Sequence, residues 1–291
     1  MSGISFCVSI KNRLWQIEQT LAENIAALGS SDEICIADFG SDDGFLEWIW
    51  AHHAKQIDDG KLRLFEARNE TFWSSPIAKN LAHRMGTQDF LVNLDADNFI
   101  TLKDVQSFKD CSTAGQPFQQ WSGQYPDGSY GRIGLPRTTF LALRGYDDAL
   151  LPMGGQDANL LNRLNQFGTP VKVIGAPEKL AIPNPRVNKT DQVKAERKSV
   201  VHHGAIRGVT KLERMARRFG LSTSISRYEE FTKMNALNRE ISDARIHFYG
   251  TKRPTFFLTH VGRLNGKPVK IDGLNVITPW EEEDPAEGLL G

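Results

Sequence analysis

The segment NLDADNF, residues 93–99, sets Asp95 and Asp97 one residue apart at the end of the apolar run Phe90, Leu91, Val92 and Leu94. Burial and mutual repulsion both penalise two carboxylates there. A bound cation relieves the penalty; so does water at a solvated loop. Hard oxygen donors of this kind suit Mg2+ or Mn2+, ions that keep several waters and take few protein ligands. Further residues of chemical interest are spread along the chain. Asp38 ends the apolar run Ile34–Ala37 and opens FGSDDG, where the local reading of a carboxylate is an Asx turn. Asp157 follows Gly154-Gly155 at the first turn of a helical pattern, favourable charge at a helix N-terminus. His202 and His203 follow Val200-Val201 and read either as ligands or as incidental loop residues.

Positioning these residues requires a scaffold, and the first half of the chain supplies one. Ile4–Ile10 reads as a strand; Leu14, Ile17, Leu21, Ile25 and Leu28 then recur at helical spacing as far as Gly29. Ile34–Ala37 is a second strand, followed by a helix through Phe45, Ile49 and His53, a third strand at Leu62–Phe65, a helix over Ile77–Met85 and a fourth strand at Phe90–Leu94. This β-α-β-α-β-α-β order gives a mostly parallel sheet with helices on both faces, and the ligand crevice of such sheets lies beyond the carboxyl ends of the strands. Lys11, Asn12 and Arg13, Asp38, and the Asp95/Asp97 pair all fall at those ends.

From about 116 to 150 the pattern loosens into short strands and loops. A helix then follows MGGQD, with Leu160, Leu161, Leu164 and Phe167 on one face and Gly168 at its end. A strand follows at Val171–Ile174, and APEKLAIPNPRVNKT reads as a surface loop. Two helical patterns lie between about 209 and 245. Asn265-Gly266 marks a hairpin, and EEEDPAEGLLG reads as a disordered tail.

Composition narrows the class. The chain has 291 residues, enough for a well-buried core, with Lys plus Arg and Asp plus Glu both at 35. No global field therefore recruits nucleic acid. Cys7, Cys35 and Cys111 are odd in number and widely spaced, which predicts buried thiols in a reducing compartment. No basic leader precedes the first apolar residues and no stretch is long enough to span a bilayer, so the expectation is a soluble cytoplasmic protein. Lys211, Arg214, Arg217 and Arg218 make one side of a helical pattern basic; it reads as a solvated amphipathic helix or as peripheral contact of 211–218 with the inner face of an anionic membrane.

Several nucleotide-binding chemistries are excluded. The turn after the first strand, IKNRLWQ, has no glycine, which removes the dinucleotide fingerprint and the glycine-rich first loop of sugar nucleotidylyltransferases; no phosphate-binding Gly-Lys-Ser/Thr occurs either. DADNFITLKDVQ fails as a calcium loop, with Ile100 where glycine is required and Gln106 where a bidentate Glu belongs. The remaining candidate is a nucleotide whose phosphates are neutralised by a metal.

IADFGSDDGF resembles the VVDDGSTDGT signature of family-2 glycosyltransferases, with Phe39 in place of the second Asp. ARNETFWSSPIAKNLA resembles their Ala-Arg-Asn helix, with Lys79 in place of Arg. NLDADNF stands where their metal-binding Asp-x-Asp stands. GYDDALLPMGGQDANLLNRL is similar to their GGFDE…EDxDL segment and to the Gly-Gly-Glu-Asp segment of β-1,4-galactosyltransferases, with Gln156 for Glu and Asn159 for the last acid. The resemblance spans roughly residues 3 to 205. It implies a GT-A nucleotide-diphospho-sugar transferase fold over 1–205, with a helical C-terminal extension and tail over 206–291.

The activity it implies is transfer of a hexosyl or N-acetylhexosaminyl group from a UDP-sugar to a hydroxyl of a glycan, polysaccharide or glycoconjugate, with inversion and with Mn2+ or Mg2+. The implied donor-binding residues are Lys11, Asn12, Arg13, Asp38 at the uracil N3–H, Lys79, Asn80, Asp95, Ala96, Asp97 and Gly155. Asp97 would coordinate the metal directly, with Asp95 toward the ribose or a metal-bound water. His202 or His203 would complete the metal shell. Asp157 would be the general base, its pKa kept low by the helix N-terminus, with Gly154-Gly155 letting the backbone approach a sugar. The alternative is a degenerate relative that binds sugar nucleotide or glycan without turnover.

Overall fold

A computed structural model of the chain describes residues 3–67, 73–124, 128–183, 231–249, 259–272 and 276–279. The first half follows the expected alternation: β1 (Ile4–Ile10), α1 (Leu14–Ala26), β2 (Glu33–Asp38), α2 (Phe45–Asp58), β3 (Leu62–Ala67), α3 (Ser75–Met85) and β4 (Phe90–Asn93). These strands bury both faces by simple alternation. Phe6, Val8 and Ile10 of β1 enter one apolar cluster with α1 and α2, while Cys7 enters the other with α3. Cys7, Cys35 and Cys111 are all buried free thiols.

With β5 (Phe118–Gln119), β6 (Ile133–Pro136), β7 (Lys172–Val173), β8 (His260–Leu264), β9 (Lys267–Asp272) and β10 (Val276–Pro279), the strand order is β10-β9-β8-β3-β2-β1-β4-β6-β5-β7. The central β3-β2-β1-β4 pairs are parallel, and the order reverses at β1, between β2 on one side and β4 on the other. The switch point of the sheet therefore lies between the loop after β1 and the loop after β4. Register carries this to the residue: Ile10 sits opposite Asp38, and Cys7 opposite Asn93.

α4 (Leu102–Thr113) is an element the periodicity reading passed over. It begins at a capping box, Thr101 with Asp104, and buries Val105, Phe108 and Cys111 on the α1/α2 side of the sheet. The loose region from 116 to 150 contains the expected short strands, β5 (Phe118–Gln119) and β6 (Ile133–Pro136), and also a short helix, α5 (Arg137–Ala142). α6 (Gln156–Gln166) buries Leu160, Leu161 and Leu164, but Phe167, expected on the same face, is 40% exposed just past the helix end. β7 (Lys172–Val173) pairs with β5.

Beyond residue 205 the described residues begin with a helix, α7 (Phe231–Tyr249), which packs on α6. The extension also contributes strands: β8 (His260–Leu264), β9 (Lys267–Asp272) and β10 (Val276–Pro279) continue the central sheet outward from β3. Asn265 and Gly266 form the hairpin tip with φ of 50° and 76°, the left-handed pair that a two-residue turn requires. Asn265 also bonds Leu64 in both directions at 2.8 Å, locking the tip to β3. His202, His203, the basic pattern at 211–218 and the C-terminal tail lie outside the described residues. No described helix is long and apolar enough to cross a membrane.

Candidate functional site

The Asp95–Asn98 turn follows β4 and is closed by Asn98 N–H donating to the Asp95 carbonyl at 2.9 Å. Its shape is imposed from α1. Gln16, Thr20 and Asn24, four residues apart, form a buried polar stripe on that helix. The Thr20 hydroxyl donates to the Ala96 carbonyl at 2.8 Å. The Asn24 amide donates to the Asn98 carbonyl at 2.9 Å and accepts from Ile100 N–H at 2.8 Å. Asn98 donates in turn to Asp97 Oδ1 at 2.7 Å and accepts from buried Arg132 at 2.8 Å, whose other arm reaches Gln120 at 2.7 Å. Ala96 is thus held by its backbone inside the scaffold.

Three charged side chains meet beside this turn. The Lys79 ammonium, on α3 with a side chain 4% exposed, lies 2.9 Å from Asp157 Oδ1 and 3.4 Å from Asp95 Oδ1. Burial alone would lower the Lys79 pKa; Asp157, then Asp95, overcome it and hold the group well above its ordinary value. Burial likewise pushes Asp95 up, but Lys79 and the Asn93 amide, 3.1 Å away, bring it below the usual carboxylate range. At Asp157 burial wins over Lys79 and the carboxyl lies above its ordinary value. The direction is opposite to the expectation that the helix N-terminus keeps Asp157 low, because its burial beside Asp95 disfavours the charged form.

Gly131, which sequence reasoning did not single out, explains how the carboxylates come together. A Cβ there would lie 3.0 Å from Asp157 Oδ2 and 3.3 Å from Asp95 Oδ2, and the Gly131 carbonyl accepts from Asn93 at 2.9 Å. The residue is glycine because two side chains converge on its backbone. The signal was its place in YGRIG, a glycine-bracketed run that leads into the buried strand β6.

Asp97 stands differently. Burial, with Asp95 adding to it, pushes its carboxyl up to about 6; Asn98 and Arg13 oppose the rise. It is an oxygen donor with too little positive charge around it, and with Asp95 it makes an all-oxygen pair at one rim, a donor set that fits Mg2+ or Mn2+. Among the described residues no group of three or more His, Cys, Asp or Glu side chains gathers at one point.

On the β2 side, Asp38 accepts the Ser41 N–H at 3.1 and 3.4 Å through its two oxygens, a local bond that closes the start of the FGSDDG loop. The Lys11 ammonium donates to the Phe39 and Gly40 carbonyls at 2.9 and 2.8 Å. Asn12, at φ 54°, accepts from Asp42 N–H at 2.8 Å. Lys11 and Asn12 therefore knit the β1 loop to the β2 loop, while Arg13 faces Asp97 and Asp43. Phe39 is buried edge-on to Trp73 and His260.

Burial pushes Asp38 up to about 6 against Ser41 and Lys11. With an unfolded value of about 3.9, the folded state binds the extra proton. Its stabilising share is full below pH 4 and lost as pH rises through 6. Asp38→Asn is expected to raise stability at pH 7.5 by up to roughly 3 kcal/mol and to change little at pH 4. Melting curves across that range test it, and a pH-independent difference contradicts it.

The segment before α6 departs from expectation in two respects. Gly154 and Gly155 have φ of 81° and 76°, and a Cβ on either would meet Asn235 or Asn238 of α7 at 3.0 and 2.9 Å. What the glycines admit on that side is a protein helix, not a ligand. Asn80 is buried with both ends of its amide engaged by the Tyr146 backbone, at 2.9 and 2.8 Å, so its side chain braces the segment ahead of α6. Gln156 donates to the Ser75 hydroxyl at 3.1 Å, and Asn159 to Ser242 at 2.8 Å.

Comparison with known proteins agrees with this architecture. Residues 5–110 match glycosyl transferase family 2. Among solved structures, the chain is similar to the mannosyltransferase PcManGT from Pyrobaculum calidifontis, solved with GDP-Man and Mn2+, at 14% identity and a TM-score of 0.53 over 86% of this chain and 71% of that one. Staphylococcus aureus TarS shares 12% identity at a TM-score of 0.48, over 90% of this chain and 58% of its own. Glucosyl-3-phosphoglycerate synthase from Mycobacterium tuberculosis shares 15% at 0.47, over 70% and 80%. No curated protein matches the chain. With its strand order, its β1/β4 switch point and its likeness to PcManGT, the chain has the GT-A fold of nucleotide-diphospho-sugar transferases, and the family-2 match lies on residues 5–110 of it.

Proposed function

We propose that this chain is an inverting glycosyltransferase that moves a sugar from a UDP-sugar to a hydroxyl of a glycan, polysaccharide or glycoconjugate. The observation that supports it most is the meeting of Asp95 and Asp157 around Gly131, with Lys79 between them and Asp97 on the same turn. In this reading Asp157 takes the proton of the acceptor hydroxyl as its oxygen bonds to the anomeric carbon and UDP departs from the opposite face, and its raised pKa suits that task. Lys79 holds the Asp157 carboxylate in one orientation, and Gly131 leaves the space between the acids free. Asp97 and Asp95 would hold Mn2+ or Mg2+, with His202 or His203 as a further ligand; when bound, the ion neutralises charge growing on the β-phosphate. Arg13 adds positive charge at the same rim, and Asp38 receives the uracil.

The experiment is a thermal-shift screen of nucleotide sugars with Mn2+, in which a ligand at 100 times its dissociation constant adds about 2.7 kcal/mol of apparent stability. UDP binding is expected to require Mn2+ or Mg2+, to vanish with EDTA and to lose its metal dependence in Asp97→Ala. Equally tight binding in chelator would overturn the metal assignment. A second reading, binding without turnover, draws support from Gln156, whose amide is turned to Ser75 where the resemblance places an acid. Release of free UDP in the presence of acceptor separates the two.

A further inference from the structure

We infer that Asn238, on α7, is a positioning residue that sets the loop launching Asp157, which makes a helix well beyond the family-2 match a working part of the transfer site. The inference rests on the role proposed for Asp157. Asn238 is fully buried. Its Oδ1 accepts the Leu151 N–H at 2.8 Å, and its Nδ2 donates among the carbonyls of Leu151, Met153 and Gly154 at 3.2, 3.1 and 2.6 Å. One side chain thus bonds the backbone of three of the four residues immediately before Gly155, the N-cap of α6. Gly155 leaves the room that Asn238 fills, and Gly154 the room for Asn235.

The same face of α7 continues the grip. Ser242, one turn on, holds Asn159 within α6, and Arg245 pairs with Asp147 at the start of the loop. Residues 238, 242 and 245 recur at helical spacing around buried Ile241. Apolar packing between α6 and α7 would tolerate sliding. A buried amide whose oxygen and nitrogen are committed to particular backbone groups allows one register. Asp157 sits two residues past Gly155, so that register becomes its distance to an acceptor hydroxyl, where a misplacement of 1 Å costs about 10²-fold.

The test uses the full chain with Asn238→Ala, Asn238→Asp and, as a comparison on the same face, Ser242→Ala. Asn238→Asp keeps the bond from Leu151 but cannot donate to the carbonyls. Amide exchange over 151–157 is expected to quicken at least about 10-fold in Asn238→Ala, and kcat to fall by about 10- to 100-fold. UDP affinity and donor KM should stay within about twofold. Asn238→Asp should fall between, and Ser242→Ala should lower the melting temperature while keeping kcat within about threefold of wild type. Unchanged exchange in Asn238→Ala overturns the inference whatever the turnover. Faster exchange with unaltered kcat, or kcat and UDP affinity falling together with the melting temperature, overturns it as well. Absence of turnover in the wild type instead refutes the proposed function, and the exchange measurement still decides whether Asn238 holds the loop. If Asn238→Ala does not fold, Asn238→Ser gives the same readouts.

Discussion

Asp157→Asn is expected to bind UDP like the wild type and to lose sugar transfer by about 10²- to 10⁴-fold, the usual worth of general base catalysis. The substitution keeps size and can still accept a hydrogen bond from Lys79, but the amide cannot take a proton from the acceptor. Donor binding should survive because the proposed donor contacts at Asp38, Arg13 and Asp97 lie on other loops. If Asp157 were only a favourable charge at the α6 N-terminus, the outcome would be different: about 1 kcal/mol of stability lost with turnover nearly intact. Melting temperature, UDP affinity and transfer rate measured on this one variant distinguish the two. An active enzyme, or a product of retained anomeric configuration, would remove the assignment.

Lys79→Met is expected to cost about 3–5 kcal/mol, the range for removing one partner of a buried ion pair. It leaves Asp95 and Asp157 converging on Gly131 with no cation between them. Two like charges in that space cannot both persist, so their pKa values rise and the folded state takes up a proton. The sign follows from linkage. A carboxylate whose folded pKa is raised stabilises below its unfolded value and loses that share as pH rises. The deficit relative to wild type should therefore be larger at pH 8 than at pH 5, and Lys79→Arg, which restores the charge, should recover most of it. Urea unfolding at the two pH values measures this. A deficit under about 1 kcal/mol, the scale of an exposed pair, or one equal at both pH values would show that Lys79 does not hold the acids together.

What the sequence disclosed about this site, and what it concealed, divides along the range of the interactions. β1 was readable to the residue because a strand buried on both faces writes its identity into consecutive side chains, and Asp38, Asp95 and Asp97 were placed at the rim by topology alone. The Asn265-Gly266 turn was legible for the same reason, its chemistry being local. Arg132, Asn98 and Asn24 were not. Each is an ordinary polar residue until the fold brings it to its partner, across 34 residues for Arg132 with Asn98 and 74 for Asn24 with Asn98. The polar stripe Gln16, Thr20, Asn24 carried a faint signal, polar side chains four apart on the helix preceding the second strand. The apolar pattern of α1 masked it. Gly154 and Gly155 announce a close approach without saying of what, and α7, which fills the space on their Cβ side, is about 80 residues away.

The docking of Asn265 on Leu64 has a consequence for how the protein is made. These residues are 201 positions apart. A ribosome adding 5–20 residues per second needs roughly 10 to 40 s to cover that span. For most of that interval, once β4 is made, β3 is the outer strand of a parallel sheet whose four central members can already pair, with its backbone donors and acceptors exposed to other nascent chains. The β8–β9 hairpin arrives only then and seals that edge. Substitutions at Asn265 or Gly266 should accordingly register first as aggregation during synthesis, and in purified material as a low yield of otherwise competent protein.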